Sequence, residues 1–137
     1  MIGMPNSKLL TIAVPAYNAA SYLHTCLDSL VRSGDEVEVL VVNDGSKDGT
    51  LQVARDYAER YPGIVVAVDQ ENRNWGGAVN HALELASGTF FYIVDSDDWL
   101  DSAKLTEVVS RLRMLEEQQA GVDLYMVNYV YNRVENG

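Results

Sequence analysis

The feature that most restricts the fold of this chain is a regular alternation of short apolar runs with stretches of helical periodicity. The apolar runs are residues 9–14, 37–42, 64–68 and 90–94, with a less regular fifth run at 124–130. Runs this short, without polar alternation, are typical of strands that are buried on both faces. Strands separated by helices pair in parallel. The sequence therefore predicts a single α/β domain over residues 1–137, with a three-layer α/β/α arrangement and a mainly parallel sheet.

Four helices are predicted between and after these strands, and capping residues mark several of their ends. Asp48 and Asp101 are the predicted N-caps of the second and fourth helices. Gly34 is the predicted end of the first helix, and Gly88 follows a third helix over residues 78–86. Their apolar residues recur at helical spacing: Leu23, Leu27, Leu30 and Val31 in the first; Leu51, Ala54, Ala58 and Tyr61 in the second; Leu105, Val108, Val109, Leu112 and Leu115 in the fourth.

The charge of the chain limits the ligands it can bind. Twenty acidic and ten basic residues give a formal net charge of −10. Such a domain repels nucleic acid and anionic membranes, because binding to either requires clustered Lys and Arg. It also repels a free nucleotide, so an anionic ligand requires a cation as an intermediary. The simpler interpretation, which fits most of the acidic residues, is a solvated surface.

The cysteine content and the amino terminus indicate a cellular compartment. Cys26 is the only cysteine, which excludes an intrachain disulfide and a thiolate zinc cluster. It lies in an apolar helical stripe and is predicted to be a buried thiol, which fits the cytosol. Residues 1–10 contain one lysine and lack the apolar core of a signal peptide. We therefore predict a cytoplasmic protein. Association of the full-length protein with the inner face of the membrane is an alternative that the sequence leaves open.

Polar loops follow each of the first four predicted strands. These loops are residues 15–18, 43–50, 69–77 and 95–98. In open parallel sheets, ligands bind beyond the carboxyl ends of the strands. Four such loops at one edge of the sheet therefore predict the binding site of the domain.

Asp95 and Asp97 place two carboxylates one residue apart in the last of these loops. Magnesium and manganese accept one or two carboxylates and fill their other positions with water and phosphate. The alternative is a solvated acidic turn. A calcium loop of the EF-hand type is excluded, because Leu100 stands where that loop requires glycine.

The second and third loops each permit two interpretations. Asp44-Gly45 is a hairpin turn signal, or Asp44 accepts hydrogen bonds from a base or ribose while Gly45 permits close approach of the backbone. Residues 75–77 form a flexible turn or offer backbone amides to a phosphate ahead of a helix. Arg73 faces a diphosphate or solvent.

Other residues and motifs argue against several alternatives. His24 and His81 lie inside helical patterns without a ligand partner at a telling spacing, and both are predicted to be structural or surface residues. The sequence contains neither a Walker A loop nor a G-x-G-x-x-G motif. P-loop hydrolases and dinucleotide dehydrogenases are therefore disfavoured.

Three motifs together resemble the family 2 glycosyltransferases of GT-A fold. They are residues 14–18, 42–50 and 95–98, which agree with the family in residue type, order and spacing. The resemblance covers nearly the whole chain. It implies a Rossmann-like GT-A nucleotide-diphospho-sugar transferase fold and a nucleotide-diphosphate sugar as donor, most often one of uridine.

The resemblance also implies roles for residues on the nucleotide side. Pro15 and Tyr17 would line the base pocket, with Asn18 as a further substrate contact. Asp44 would bond the uracil or the ribose, and Gly45 would lie beside it.

On the diphosphate side, the resemblance implies a divalent metal, Mg2+ or Mn2+. Asp95 would lie near the ribose and the metal, Asp97 would ligate the metal, and Asp98 is a further candidate ligand. The family often has N-x-G-x-x-x-A-R-N in the third loop, and here Val79 stands where the arginine would be. Arg73 is a candidate to compensate for it.

The implied reaction is inverting transfer of a sugar to an acceptor hydroxyl of a saccharide or a lipid-linked molecule, as in polysaccharide biosynthesis. The metal would stabilise the departing nucleoside diphosphate, and a later carboxylate would deprotonate the acceptor. Nothing that resembles the base motif follows Asp98, so we expect an amino-terminal fragment that binds donor and transfers little sugar. Two alternatives are a non-catalytic nucleotide-binding or assembly module and a sugar nucleotidyltransferase. The latter should have a glycine-rich basic loop where residues 15–18 lie.

Overall fold

Four apolar segments form one parallel sheet. They are β1 (Lys8–Ala16), β2 (Val37–Asp44), β3 (Val65–Gln70) and β4 (Gly88–Ile93), in a computed structural model that describes residues 8–123. The spatial order is β3-β2-β1-β4, and every neighbouring pair is parallel. The predicted parallel α/β sheet is confirmed, and the predicted fifth strand at 124–130 lies outside the described residues.

Helices connect and follow the strands. They are α1 (Leu23–Asp28), α2 (Thr50–Arg60), α3 (Asn74–Leu85) and α4 (Ser102–Glu117). Asp101 caps α4 as predicted, since its carboxylate accepts a hydrogen bond from the Lys104 backbone nitrogen at 3.1 Å.

Different helices cover the two faces of the sheet. Alternate residues of β1 and β2, such as Ile12 and Val39, pack in one apolar cluster with residues of α1, α2 and α4. The intervening residues, such as Ala13 and Leu40, pack in a second cluster with α3. The sheet extends from β1 to β3 in one direction and then reverses to β4, so right-handed crossovers require α3 on the opposite face. The three-layer arrangement is therefore confirmed.

Several predicted boundaries are corrected by the structure. The second strand continues past Val42, because Asn43 and Asp44 stay in register with the end of β3. The third helix begins at Asn74 rather than at residue 78, so the predicted turn at 75–77 is its first turn. Gly88 starts β4, where it pairs with Lys8.

The first and second helices also differ from the prediction at one end each. Helix α1 ends at Asp28, and the buried side chains of Leu30 and Val31 lie in the turns that follow. Gly49, not Asp48, occupies the N-cap position of α2. The Asp48 carboxylate nevertheless accepts a hydrogen bond from the Thr50 backbone nitrogen at 3.0 Å. Asp48 therefore still caps the start of α2, although it lies one residue before the N-cap position.

Candidate functional site

An open cleft lies at the carboxyl edge of the sheet, where the chain reverses direction. Strands β1 and β4 are neighbours, although β2 and β3 separate them in sequence. Loops that leave such a pair diverge to opposite faces and open a crevice between them. The cleft has a volume of about 230 Å³. It is lined by Pro15, Ala16, Tyr17, Tyr22, Asp44, Trp75, Ala78, Asp95, Ser96 and Asp97.

Aromatic side chains form much of the cleft wall. Tyr17 and Tyr22 come from the loop after β1, and Trp75 comes from the first turn of α3. Trp75 is 55% exposed and Tyr17 is 48% exposed, although both are large apolar residues. Partly exposed rings beside a cleft offer faces against which a planar group can stack.

Asp44 is the buried carboxylate of the cleft. Its side chain is only 4% exposed at the end of β2. The Oδ1 atom accepts hydrogen bonds from Gln70 Nε2 at 2.9 Å and from the Arg73 backbone nitrogen at 2.7 Å. Within residues 8–123, no donor is bonded to Oδ2. The carboxylate is therefore fixed by the protein through one oxygen, and the other is left to accept a bond from a ligand.

Three carboxylates crowd together in the loop after β4. Oxygen atoms of Asp95, Asp97 and Asp98 all lie within 4.8 Å of one another, and all three residues are exposed. Burial, and then the charges of Asp97 and Asp95, raise the pKa of Asp98 above its ordinary value. An exposed set of hard oxygen donors that repel one another fits a divalent cation of the magnesium or manganese kind.

Cys26 lies beneath this loop and takes no part in its chemistry. Its Sγ atom is 3.7 Å from the Asp95 backbone oxygen. Burial raises the pKa of the Cys26 thiol to about 12, and the charges of Asp98, Asp97 and Asp95 add to this effect. The thiol therefore stays protonated and packs in the core, as the sequence predicted.

Trp75 joins the aromatic wall to the acidic loop. Its indole nitrogen donates a hydrogen bond to Asp95 Oδ1 at 2.8 Å. The sequence predicts residues 75–77 only as a turn or a source of backbone amides, and not as a source of this side-chain contact. The signal in the sequence is a large aromatic residue, Trp75, directly before two glycines and a predicted helix. Such a residue beside the predicted binding edge is a candidate for a side chain that reaches the site.

The loop after β2 supports the loop after β1. The Asn18 backbone nitrogen donates to Ser46 Oγ at 2.9 Å, and Asn18 Oδ1 accepts from the Lys47 nitrogen at 2.9 Å. A second pair of bonds runs from the nitrogens of residues 19 and 20 to Thr50 Oγ1 and Asp48 Oδ2, at 2.8 and 3.2 Å. The polar residues of this motif therefore hold the loop that carries Tyr17.

Gly45 makes room for a neighbouring loop. Its φ is +67°, and a Cβ at this position would lie 2.7 Å from the Asn72 backbone nitrogen. Asn72 Nδ2 in turn donates to the Asp44 backbone oxygen at 3.1 Å. The absent side chain thus permits close packing of the loops on either side of Asp44.

The structure divides the predicted site residues into two groups. Pro15, Tyr17, Asp44, Asp95 and Asp97 line the cleft. The remaining predicted residues are not among its lining: Asn18, Gly45, Arg73 and Asp98. The cleft lining also includes four side chains that the sequence motifs did not predict: Tyr22, Trp75, Ala78 and Ser96.

Together, the fold and the cleft define a parallel α/β domain with three features at one edge of its sheet. These features are the buried carboxylate of Asp44, the aromatic walls and the cluster of exposed carboxylates. The sequence matches Glycosyl transferase family 2 over residues 11–136. The chain therefore belongs to that family, and the resemblance and the GT-A fold are confirmed.

Individual relatives agree with this assignment. The uncharacterized glycosyltransferase MG025 of Mycoplasma genitalium is 38% identical over 101 residues, which are 70% of this chain and 34% of the relative. S. aureus TarS 1–349, solved with UDP-GlcNAc, superposes with a TM-score of 0.64 at 29% identity, over 81% of this chain and 32% of that one. The mannosyltransferase PcManGT of Pyrobaculum calidifontis, solved with GDP-Man and Mn2+, gives 0.64 at 31% identity, over 75% and 32%.

The chain spans about a third of the length of these relatives. Within residues 8–123, no helix has the length and apolar character needed to cross a membrane.

Proposed function

We propose that the cleft binds a nucleotide-diphosphate sugar together with a divalent cation, as the donor site of a glycosyltransferase. The observation that carries this proposal is that one cleft joins the fixed carboxylate of Asp44 to the carboxylate loop of Asp95 and Asp97. A nucleoside with N–H or O–H donors suits the first, and a cation-bound diphosphate suits the second. TarS with UDP-GlcNAc and PcManGT with GDP-Man support a donor of this class.

The nucleoside lies on the Asp44 side of the cleft in this proposal. Asp44 Oδ2 accepts a bond from the base or the ribose, and Tyr17 and Tyr22 pack against the planar base. Pro15 closes the floor at the end of β1. We propose uridine as the nucleoside. Asn18 and Gly45 serve the site indirectly, by holding the loops that carry Tyr17 and Asp44.

The diphosphate lies on the opposite side of the cleft. Asp95 and Asp97, with Asp98 behind them, would hold Mg2+ or Mn2+. When bound, such an ion stabilises the negative charge that develops on the departing nucleoside diphosphate. Trp75 orients Asp95 through its indole nitrogen. The exposed side chain of Arg73 is available to the diphosphate from the start of α3.

The reaction we propose is inverting transfer of the sugar to an acceptor hydroxyl, in a pathway of polysaccharide synthesis. The residues of this chain supply donor and cation binding, and we assign the catalytic base to none of them. The 137-residue chain should accordingly bind donor and turn over little of it. A cytoplasmic location, at the inner face of the membrane in a longer form, stays a prediction.

Calorimetric titration with UDP in the presence and absence of Mn2+ tests the proposal. We expect Mn2+-dependent binding, and Asp97→Ala should weaken it by at least about tenfold, because one charged ligand of the cation is lost. Glu116→Ala, in an exposed part of α4, makes the same change of charge away from the cleft and should leave the affinity unchanged.

A thermal shift provides a second measurement. A ligand at 100 times its Kd stabilises the folded chain by about 2.7 kcal/mol. No shift with UDP or GDP and Mn2+ would instead favour a non-catalytic assembly module. Rapid sugar transfer by the 137-residue chain to a defined acceptor would contradict only one part of the proposal, namely that no residue of this chain is the catalytic base.

A further inference from the structure

A chain of side-chain hydrogen bonds runs from α3 through β3 to Asp44. His81 Nδ1 lies 2.8 Å from Gln70 Oε1, and Gln70 Nε2 donates to Asp44 Oδ1 at 2.9 Å. All three side chains are at least partly buried. Gln70 and His81 do not line the cleft, and the hydrogen bond from Gln70 to Asp44 connects them to a residue that does.

The fold brings these three residues together. Gln70 is the last residue of β3 and is paired directly with Asp44 in the parallel register of β2 and β3. His81 lies on α3, the helix that covers the face of the sheet towards which Leu40 and Val42 point. Because side chains alternate along β2, Asp44 points to this same face.

The chemistry of the Asp44 carboxylate determines which group donates in each of these two hydrogen bonds. An ionised carboxylate only accepts hydrogen bonds, so Gln70 must turn its NH2 group towards Asp44. The Gln70 carbonyl oxygen then faces His81, so His81 must carry a proton on Nδ1. His81 thereby holds the glutamine in the one amide orientation that serves Asp44.

We propose that Gln70, held by His81, is a positioning residue that fixes the Asp44 carboxylate for the nucleoside of the donor. The inference rests on the proposed function, since it requires Asp44 to contact the nucleoside. The only other donor to Asp44 Oδ1 in the described residues is the Arg73 backbone nitrogen, so the loss of Gln70 would leave the side-chain carboxylate with a single hydrogen bond. Without Gln70, the carboxylate gains rotational freedom that the ligand must then remove.

Calorimetry on the 137-residue chain with two probes distinguishes positioning from a purely structural role. Gln70→Leu keeps the approximate size of the side chain and removes its polar atoms. We expect the affinity for UDP with Mn2+ to fall by up to about tenfold, because the ligand must then immobilise the Asp44 side chain itself. The affinity for pyrophosphate with Mn2+ should not change, because pyrophosphate does not reach Asp44.

A double-mutant cycle tests whether the effect passes through Asp44. In an Asp44→Ala background, Gln70→Leu should change the affinity for UDP by less than about twofold, because the group that it positions is absent. An equal loss in both backgrounds would overturn the inference. So would an equal loss of UDP and pyrophosphate affinity in the single variant.

Variants at His81 keep the inference testable if Gln70→Leu does not fold. His81→Leu removes the donor to Gln70 and should weaken UDP binding by about threefold. His81→Asn retains an N–H donor near the position of Nδ1 and should restore most of the affinity. Equal affinities for these two variants would contradict the inference. Failure of the unaltered chain to bind UDP or GDP with Mn2+ would instead overturn the proposed function, and this inference with it.

Discussion

The two ends of the cleft differ in how far the protein itself has satisfied its carboxylates. At the proposed nucleoside end, Asp44 is 4% exposed and accepts two hydrogen bonds through one oxygen. At the proposed diphosphate end, Asp97 is exposed, and no donor in the described residues is bonded to its carboxylate. The Asp44 end is therefore preorganised by the protein, whereas the other end is a group of carboxylates that repel one another.

This difference indicates which part of the site belongs to the fold and which part depends on the ligand. A buried carboxylate without partners would be costly, so the packing of β2, β3 and α3 around Asp44 has to supply donors. Water solvates an exposed cluster of carboxylates, so the cluster needs no donors from the protein when no cation is bound. Changes at the first end should therefore damage stability, and changes at the second should damage only binding.

The largest effect on stability should come from Gly45, which allows the loops around Asp44 to meet. In Gly45→Ala, the new Cβ would lie 2.7 Å from the Asn72 nitrogen at a φ of +67°. We expect the free energy of unfolding in urea to fall by about 3 kcal/mol. Gly63→Ala is a matched control, because its φ is +80° and a Cβ there meets nothing within 4 Å. That variant should lose only about 1 kcal/mol, and equal losses would show that the loop contact is unimportant.

Asparagine substitutions at the two ends should change stability in opposite directions when no ligand is present. Asp44→Asn weakens two charge-assisted hydrogen bonds and should lower the free energy of unfolding by about 2 kcal/mol. Asp97→Asn removes one of three crowded carboxylates and should raise the melting temperature slightly. A comparable loss of stability in both variants, measured by urea and thermal unfolding, would break the comparison between the two ends.

The sequence was sufficient to predict the fold because each strand carries a short, mainly apolar run, interrupted only by Thr11 in residues 9–14 and by Glu38 in residues 37–42. It also placed Asp44 and the acidic loop at one edge, since loops after parallel strands must meet there. Boundaries were harder where polar residues continue a regular element. Asn43 and Asp44 extend β2 because β3 pairs with them. Asn74 starts α3 at a φ of +63°, a left-handed conformation that asparagine tolerates but that helical periodicity does not predict.

Contacts between distant residues could not be predicted from the motifs. Asp48 lies two residues before Thr50 and was expected to act only on α2, yet it also accepts from the nitrogen of residue 20 in another loop. Trp75 reaches Asp95 across 20 positions of sequence. Gln70 was read as part of a polar loop, whereas it is the end of a strand. Each of these contacts depends on the sheet order β3-β2-β1-β4, which the sequence alone did not specify.

The pH dependence of stability compares Asp48, whose carboxylate accepts several hydrogen bonds, with Asp98, whose carboxylate accepts none from residues 8–123. Hydrogen bonds, chiefly from the Thr50 hydroxyl, lower the pKa of Asp48. Its stabilisation is therefore present above the ordinary value of 3.8 and is lost as the pH falls through the lower, folded-state pKa. Burial and neighbouring charges raise the pKa of Asp98, so its contribution has the opposite sign and stability is lost as the pH rises past 3.8.

Melting temperatures of Asp48→Asn and Asp98→Asn across the acid range check these signs. Relative to the unaltered chain, Asp98→Asn should gain stability above the ordinary aspartate pKa and lose this advantage below it. Asp48→Asn should be less stable above that pKa and converge with the unaltered chain in acid. Parallel curves for all three proteins would contradict both assignments.

The smallest effect should come from Trp75, an aromatic residue of the cleft wall that donates a hydrogen bond to the acidic loop. Trp75→Phe keeps an aromatic wall but removes the indole donor to Asp95 Oδ1. Because both groups are exposed, we expect the affinity for UDP with Mn2+ to fall by only about two- to threefold. Trp75→Leu should cost more, since it also removes the ring face.

Fluorescence separates the two roles of this tryptophan. The chain has two tryptophans, so Trp99→Phe leaves Trp75 as the single reporter. If Asp95 turns from the indole towards a cation, Mg2+ alone, which is diamagnetic and does not quench the indole directly, should already change the Trp75 emission, and UDP should then change it further. If only UDP changes the emission, Asp95 keeps its bond to Trp75 when the cation binds. The diphosphate end would then be more fixed by the protein than its exposed carboxylates suggest.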